Sequence, residues 1–283
     1  MQAKKSEFTR WTQYIEQGSF SKKIEIWVPE NGIFKEFSED YAKYYFINKK
    51  ECDNDPVKKQ YKSCRWVEDV IIELKDKEEW VPLDILRLLA WKTGKIRHNE
   101  CENEKEKPIR RIKYADGWNE EELRIQLPYQ EPVYKDHFCK FANEVTQKRK
   151  QFREERDANK TWKELLSLAN GKIGLRGLGT VYLITLFSFL TSFKYFEYPI
   201  FDRFAMASLI SLEMKDNNVI VPGNSIIKGC SLPDRKNAEG LLEENSLYMK
   251  YKEMLDKRFG FEWKKNRTID QALWSYGHCF IVD

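Results

Sequence analysis

The residue types that could do chemistry here are one carboxylate and the glycines upstream of it. Asp202 stands in Tyr198-Pro199-Ile200-Phe201-Asp202, 23 residues beyond Gly179, which ends the run Leu175-Arg176-Gly177-Leu178-Gly179. Two glycines around a leucine permit a tight reversal and let backbone N–H groups approach a bulky anion. Thr180 opens an apolar run, so the positive end of a helix dipole and the first unbonded N–H groups face that turn, an arrangement suited to phosphate. Lys172 and Arg176 would add charge to contacts with a phosphodiester strand, positioning it without reading its sequence. A carboxylate stabilises positive charge that develops on a sugar ring, and it orients or deprotonates water. Taken alone, Asp202 is a helix N-cap, a position this residue type favours. The glycine turn before it is what suggests more.

These groups need elements to hold them. Thr180–Phe193 is apolar nearly all round, as a helix buried in a domain centre should be, and at fourteen residues it is too short to span a bilayer. Pro199 imposes an extended approach, and Asp202 immediately precedes a new helical segment running to Met214. Upstream, Lys135–Glu164 reads as a long amphipathic helix with a break near Asn159. Leu165–Leu168 then enters the hairpin through Asn170-Gly171.

In this order, Leu-Arg-Gly-Leu-Gly at 175–179, a buried helix and Tyr-Pro-Ile-Phe-Asp at 198–202 resemble the core of the helix-hairpin-helix DNA glycosylases. Those enzymes carry Leu-Pro-Gly-hydrophobic-Gly, then a helix, then an aspartate in a Pro-Ile-x-Asp segment. Arg176 replaces the proline here, and the gap to the aspartate is slightly lengthened. The resemblance implies that Lys172, Arg176, Gly177, Gly179 and Thr180 bind DNA phosphate and that Asp202 is catalytic, acting on a nucleotide flipped out of the duplex. Members that also cut the strand place a Schiff-base lysine two residues past the last glycine. Val181 stands there, and Lys172 and Lys194 lie outside that position, so the resemblance implies a monofunctional enzyme that uses water and leaves an abasic site. The implied partner is double-stranded DNA containing a modified base, in repair or in defence against phage with modified DNA. A hairpin protein that keeps DNA binding without the chemistry is the alternative.

Other residues could clasp an extruded base. Trp91, Lys92, His98 and Asn99 bring together a ring, a cation and amide chemistry, and Trp274 and His278 near the C-terminus could join them. The plainer reading gives an ordinary helix terminus with Trp91 in the core, and a buried His278. Arg110, Arg111 and Lys113 form a second basic run in a charged segment that reads first as a solvated face.

Composition limits the rest. A chain of 283 residues with 41% hydrophobic residues can bury one large core or two modest ones, and a net charge of +4 confines any DNA-binding face to a local patch. Six scattered cysteines without a C-x-x-C pair argue for a reducing compartment and against structural zinc or the iron–sulfur cluster of several glycosylases. No metal is required for the hydrolysis, although hairpin carbonyls could hold a monovalent cation, as in related proteins. With no secretory signal or membrane span in view, a cytoplasmic monomer is expected. The expected fold is mainly α: an N-terminal α/β extension over 1–55, then a two-lobed helical body over 56–283 with the hairpin and catalytic segment at 165–210. Within the extension, Phe8–Gln17 reads as a helix, and Ile24–Val28 with Ile33–Phe37 reads as a β-hairpin turning at Pro29-Glu30-Asn31-Gly32.

Overall fold

A run of aliphatic and aromatic side chains without a charge can fold only where all its faces find apolar neighbours. In a computed structural model of the chain, Thr180–Thr191 is such a helix, with Leu183, Ile184, Leu186, Phe187, Phe189 and Leu190 all fully buried. Each such side chain stabilises the fold by about 1.5–3 kcal/mol, enough to offset the ~1–2 kcal/mol cost of ordering its backbone. The structure describes residues 8–17, 20–29, 71–92, 96–98, 123–125, 132–171, 178–192, 194–216, 227, 229–279 and 281–282. They belong to two compact units. One comprises Ser63–Ile200 and Leu232–Lys252, the other Met1–Lys62, Phe201–Ser231 and Glu253–Asp283.

The first unit holds α1 (Pro82–Lys92), the short strands β3 (Ile96–His98) and β4 (Leu123–Ile125), α2 (Pro132–Glu154), α3 (Ala158–Asn170) and α4 (Thr180–Thr191). The helix α4 packs against α1, α2 and α3. The expected break in the long helix comes at Asp157, whose Oδ1 accepts from the N–H groups of Asn159 and Lys160 at 2.9 and 3.3 Å and so starts α3. Asp84, read from sequence as a dipole partner, is buried at the start of α1. Its Oδ2 accepts from Val81 N at 2.8 Å and from the Lys77 ammonium. Arg149 of α2 is also buried. It donates to the carbonyl of Lys77 at 2.9 Å and lies 4.0 Å from the Trp80 ring centroid, while burial pulls its pKa down to about 9.

In the second unit, α5 (Arg203–Asp216) packs against α8 (Thr268–Cys279), with the one-turn α7 (Glu262–Lys265) beside α8. A Cβ on Gly277 would lie 2.4 Å from the Phe204 carbonyl oxygen, so the two backbones meet where only glycine fits. Ser208 Oγ lies 2.7 Å from its own-helix Phe204 O and 2.6 Å from Leu273 O across the pair. The helix α6 (Leu247–Phe259), whose residues up to Lys252 count with the first unit, ends at Gly260, whose φ of 55° is left-handed and terminates the helix. The helix expected over Glu239–Phe259 therefore starts late. Glu239–Leu242 is a 3₁₀ turn instead, and Ser246 Oγ accepts from Met249 N at 3.0 Å to begin α6.

The body is α-helical, but the expected small β-containing N-terminal extension is corrected. Among the described residues the long elements from residue 71 onward are all α-helical. Strand pairing builds a three-stranded sheet. There β1 (Phe8–Gln17) and β2 (Phe20–Pro29) run antiparallel, and β5 (Ile281–Val282) joins the far edge of β2 opposite Glu25 and Ile26. A sheet that takes its third strand from residues 281–282 is not an N-terminal extension. Phe8–Gln17 is a strand where a helix was expected, because Phe8, Thr9, Trp11, Thr12, Tyr14 and Ile15 all favour extended backbone. The reversal falls between Gln17 and Phe20, and the expected partner Ile33–Phe37 lies outside the described residues.

Candidate functional site

The helix start at the glycines is built without a side-chain cap. Gly179 is the N-cap of α4, with φ −77° and ψ −176°, a conformation any residue adopts. It is exposed, and a Cβ placed on it would meet nothing within 4 Å. Folding therefore makes no demand for glycine at this position. Thr180, expected to bind phosphate, is buried and donates its hydroxyl to the Pro233 carbonyl, which leaves the backbone N–H as its contribution to the helix start. Lys172, Arg176 and Gly177 lie outside the described residues. Val181 is half-buried in the first turn.

A later segment ties down the end of α3 and the start of α4. Arg235 Nη1 donates to Ala169 O at 2.7 Å in the last turn of α3, Asn170 Nδ2 donates to Arg235 O at 3.3 Å, and Thr180 bonds Pro233 at the first residue of α4. Deeper in α3, the Trp162 indole donates to Ala238 O at 2.7 Å. This strap, Pro233–Ala238, was not singled out in the sequence. The one local signal was a buried tryptophan, whose N–H needs a partner.

The approach to the aspartate is held in the same way. Ser188 of α4 donates to Tyr198 O and Tyr248 of α6 donates to Pro199 O, each at 2.8 Å, and the Tyr198 ring stacks edge-on to Phe187 at 5.0 Å. Tyr248 is fully buried, which holds its phenol well above the usual range. Ser188, a lone hydroxyl within the fully buried stretch Leu186–Leu190, was the signal in the sequence that a backbone carbonyl comes close.

Within its own unit, Asp202 is half-buried at the start of α5. Its Oδ1 accepts from Phe204 N at 2.9 Å, and its carbonyl accepts from Met206 N at 2.9 Å. It is thus the N-cap of α5, as its residue type favours. Arg203 lies 4.9 Å from the Phe204 ring centroid.

The residues proposed to hold a base are described only in part, and those described belong to different units. Trp91 is a core residue, 6.4 Å edge-on from Phe189. Packing in the core is the plainer of the two readings of this residue. Lys92 is half-buried in the last turn of α1, and Trp274 is half-buried on α8. Asn99 and the side chains of His98 and His278 lie outside what is described. Among the described residues no three His, Cys, Asp or Glu side chains come together as a metal site, and no helix is long and apolar enough to cross a membrane. Compared with protein-family models, with curated proteins and with solved structures, the chain matches none.

Proposed function

We propose that the protein is a monofunctional DNA glycosylase that hydrolyses the bond between a modified base and its sugar in double-stranded DNA and leaves an abasic site. The observation that carries this reading is a pair of helix starts in fixed order. The first has a glycine N-cap with no side-chain cap and open space around it; the second, 23 residues on, has an aspartate. An uncapped start offers its N–H groups to a phosphate, and the missing Cβ lets the strand come close. In the reaction, the bond from C1′ to the base nitrogen breaks and its electrons leave with the base. The sugar becomes oxocarbenium-like, Asp202 stabilises that charge and takes a proton from the water that adds at C1′, and that proton passes on to the departed base. Val181 supplies no amine, so strand cutting through a Schiff base does not follow. The enzyme works as a cytoplasmic monomer on phage or damaged DNA, without a metal.

The test is release of free bases, read by mass spectrometry, from undamaged, damaged and phage-derived hypermodified DNA. Asn caps a helix as well as Asp does, so Asp202→Asn keeps the bond to Phe204 N and the fold. The variant is expected to lose at least ~100-fold in base release while still binding DNA. The alternative, a hairpin protein that binds DNA without cutting bases, is favoured by one fact: capping α5 already gives Asp202 a task. It predicts no base release by either protein.

A further inference from the structure

The strap has a feature that holding the hairpin does not explain. Arg235 bonds Ala169 through Nη1 alone, and its remaining guanidinium donors bond no described residue. Lys236 is exposed and forms no hydrogen bond or ion pair with any described residue. Capping the C-terminus of α3 accounts for one amino group of Arg235 and for nothing of Lys236. Partial burial makes the Arg235 charge harder to keep, which an added anion would relieve. The acids on this stretch do not supply one: Glu239 is 3.6 Å from Lys163, and Asp234 is exposed beside the two cations.

We infer that the strap is a second phosphate-contacting segment, in which Arg235 and Lys236 meet the backbone of the same duplex that the Gly179–Thr180 helix start engages. The inference rests on the DNA-binding part of the proposed function. Its geometric basis is that bonds to Ala169, Asn170 and Thr180 fix the strap to the last two residues of α3 and the first of α4. An extended polyanion fits better than a single small anion. Exposed Lys236 gains little from one isolated charge, whereas both cations gain from displacing the counterions condensed on a duplex.

The experiment is fluorescence anisotropy of a labelled duplex from ~50 to ~200 mM salt, the range over which phosphate contacts dominate affinity. The proteins are the wild type, Lys236→Gln, Arg235→Gln and, as a charge-matched control, Lys257→Gln, whose side chain pairs with Glu213 at 3.2 Å in the other unit. Removing one phosphate contact should flatten the plot of log affinity against log salt by about 0.9. Lys236→Gln should do so with unchanged thermal stability, Arg235→Gln should do so with a lowered melting temperature, and the control should keep the wild-type slope. A Lys236→Gln slope equal to that of the wild type or shared by the control overturns the inference. A wild type with no salt-dependent affinity overturns this inference and the proposed function together. Flattened slopes in a protein that releases no base leave the strap standing and remove only the catalytic reading.

Discussion

The helices α4 and α5 follow one another in the chain, yet their first turns are fixed by opposite means. The start of α4 has no side-chain cap and is held from outside, by a hydroxyl bond from Thr180 to a distant carbonyl and by the strap across α3. The start of α5 is held from within, by the Asp202 carboxylate on Phe204 N, and its helix is seated against α8 at van der Waals limit through Gly277. A helix start anchored indirectly keeps its N–H groups for an external anion. One capped by its own carboxylate has already supplied the anion, and presents a fixed negative charge instead.

That contrast can be broken most severely at Gly277. Gly277→Ala puts a methyl group 2.4 Å from the Phe204 carbonyl, against backbone that cannot swing aside, so a loss of ~1–3 kcal/mol or more in chemical denaturation is expected. A melting temperature equal to that of the wild type would show that α5 is not seated by this contact. A smaller effect belongs to Thr180→Val. It removes the tie to Pro233 at nearly constant volume and should cost about 1 kcal/mol, with faster proteolysis of the hairpin region as a second readout. Unchanged proteolysis would mean that the strap does not hold the α4 start. The smallest change in stability and the sharpest test of the comparison is Gly179→Ala. Because its φ and surroundings accept a methyl group, stability should stay within about 1 kcal/mol of the wild type, while duplex affinity falls. Undiminished affinity would mean that no strand approaches that helix start.

Much of the helical framework could be read from the sequence because its signals are local. Thr180 begins α4 and Asp202 precedes α5 where the apolar run and the N-cap preference put them, and Gly260 ends α6. What could not be read depends on partners far along the chain. Period-two alternation marked Ile24–Val28 as extended, but alternation does not name the neighbouring strand, and β1 and β5 pair with it from opposite ends of the sequence. Trp91 showed a ring beside cations, yet only packing against Phe189 reveals that the ring is spent in the core. The strap was invisible for a related reason. Three of its four bonds end on a main-chain carbonyl of Pro233, Arg235 or Ala238, and carbonyls carry no residue-type signature.

The reach of those bonds has a consequence for the protein's birth. Thr180 is separated from Pro233 by 53 positions, Ala169 from Arg235 by 66 and Trp162 from Ala238 by 76. A ribosome adds about 5–20 residues per second, so α4 emerges several seconds before the strap that closes over its start. During that interval the most apolar of the described helices waits with its first turn untethered. Nascent chains stalled with α4 outside the ribosome and the strap still inside it should therefore be the ones that chaperones hold most tightly.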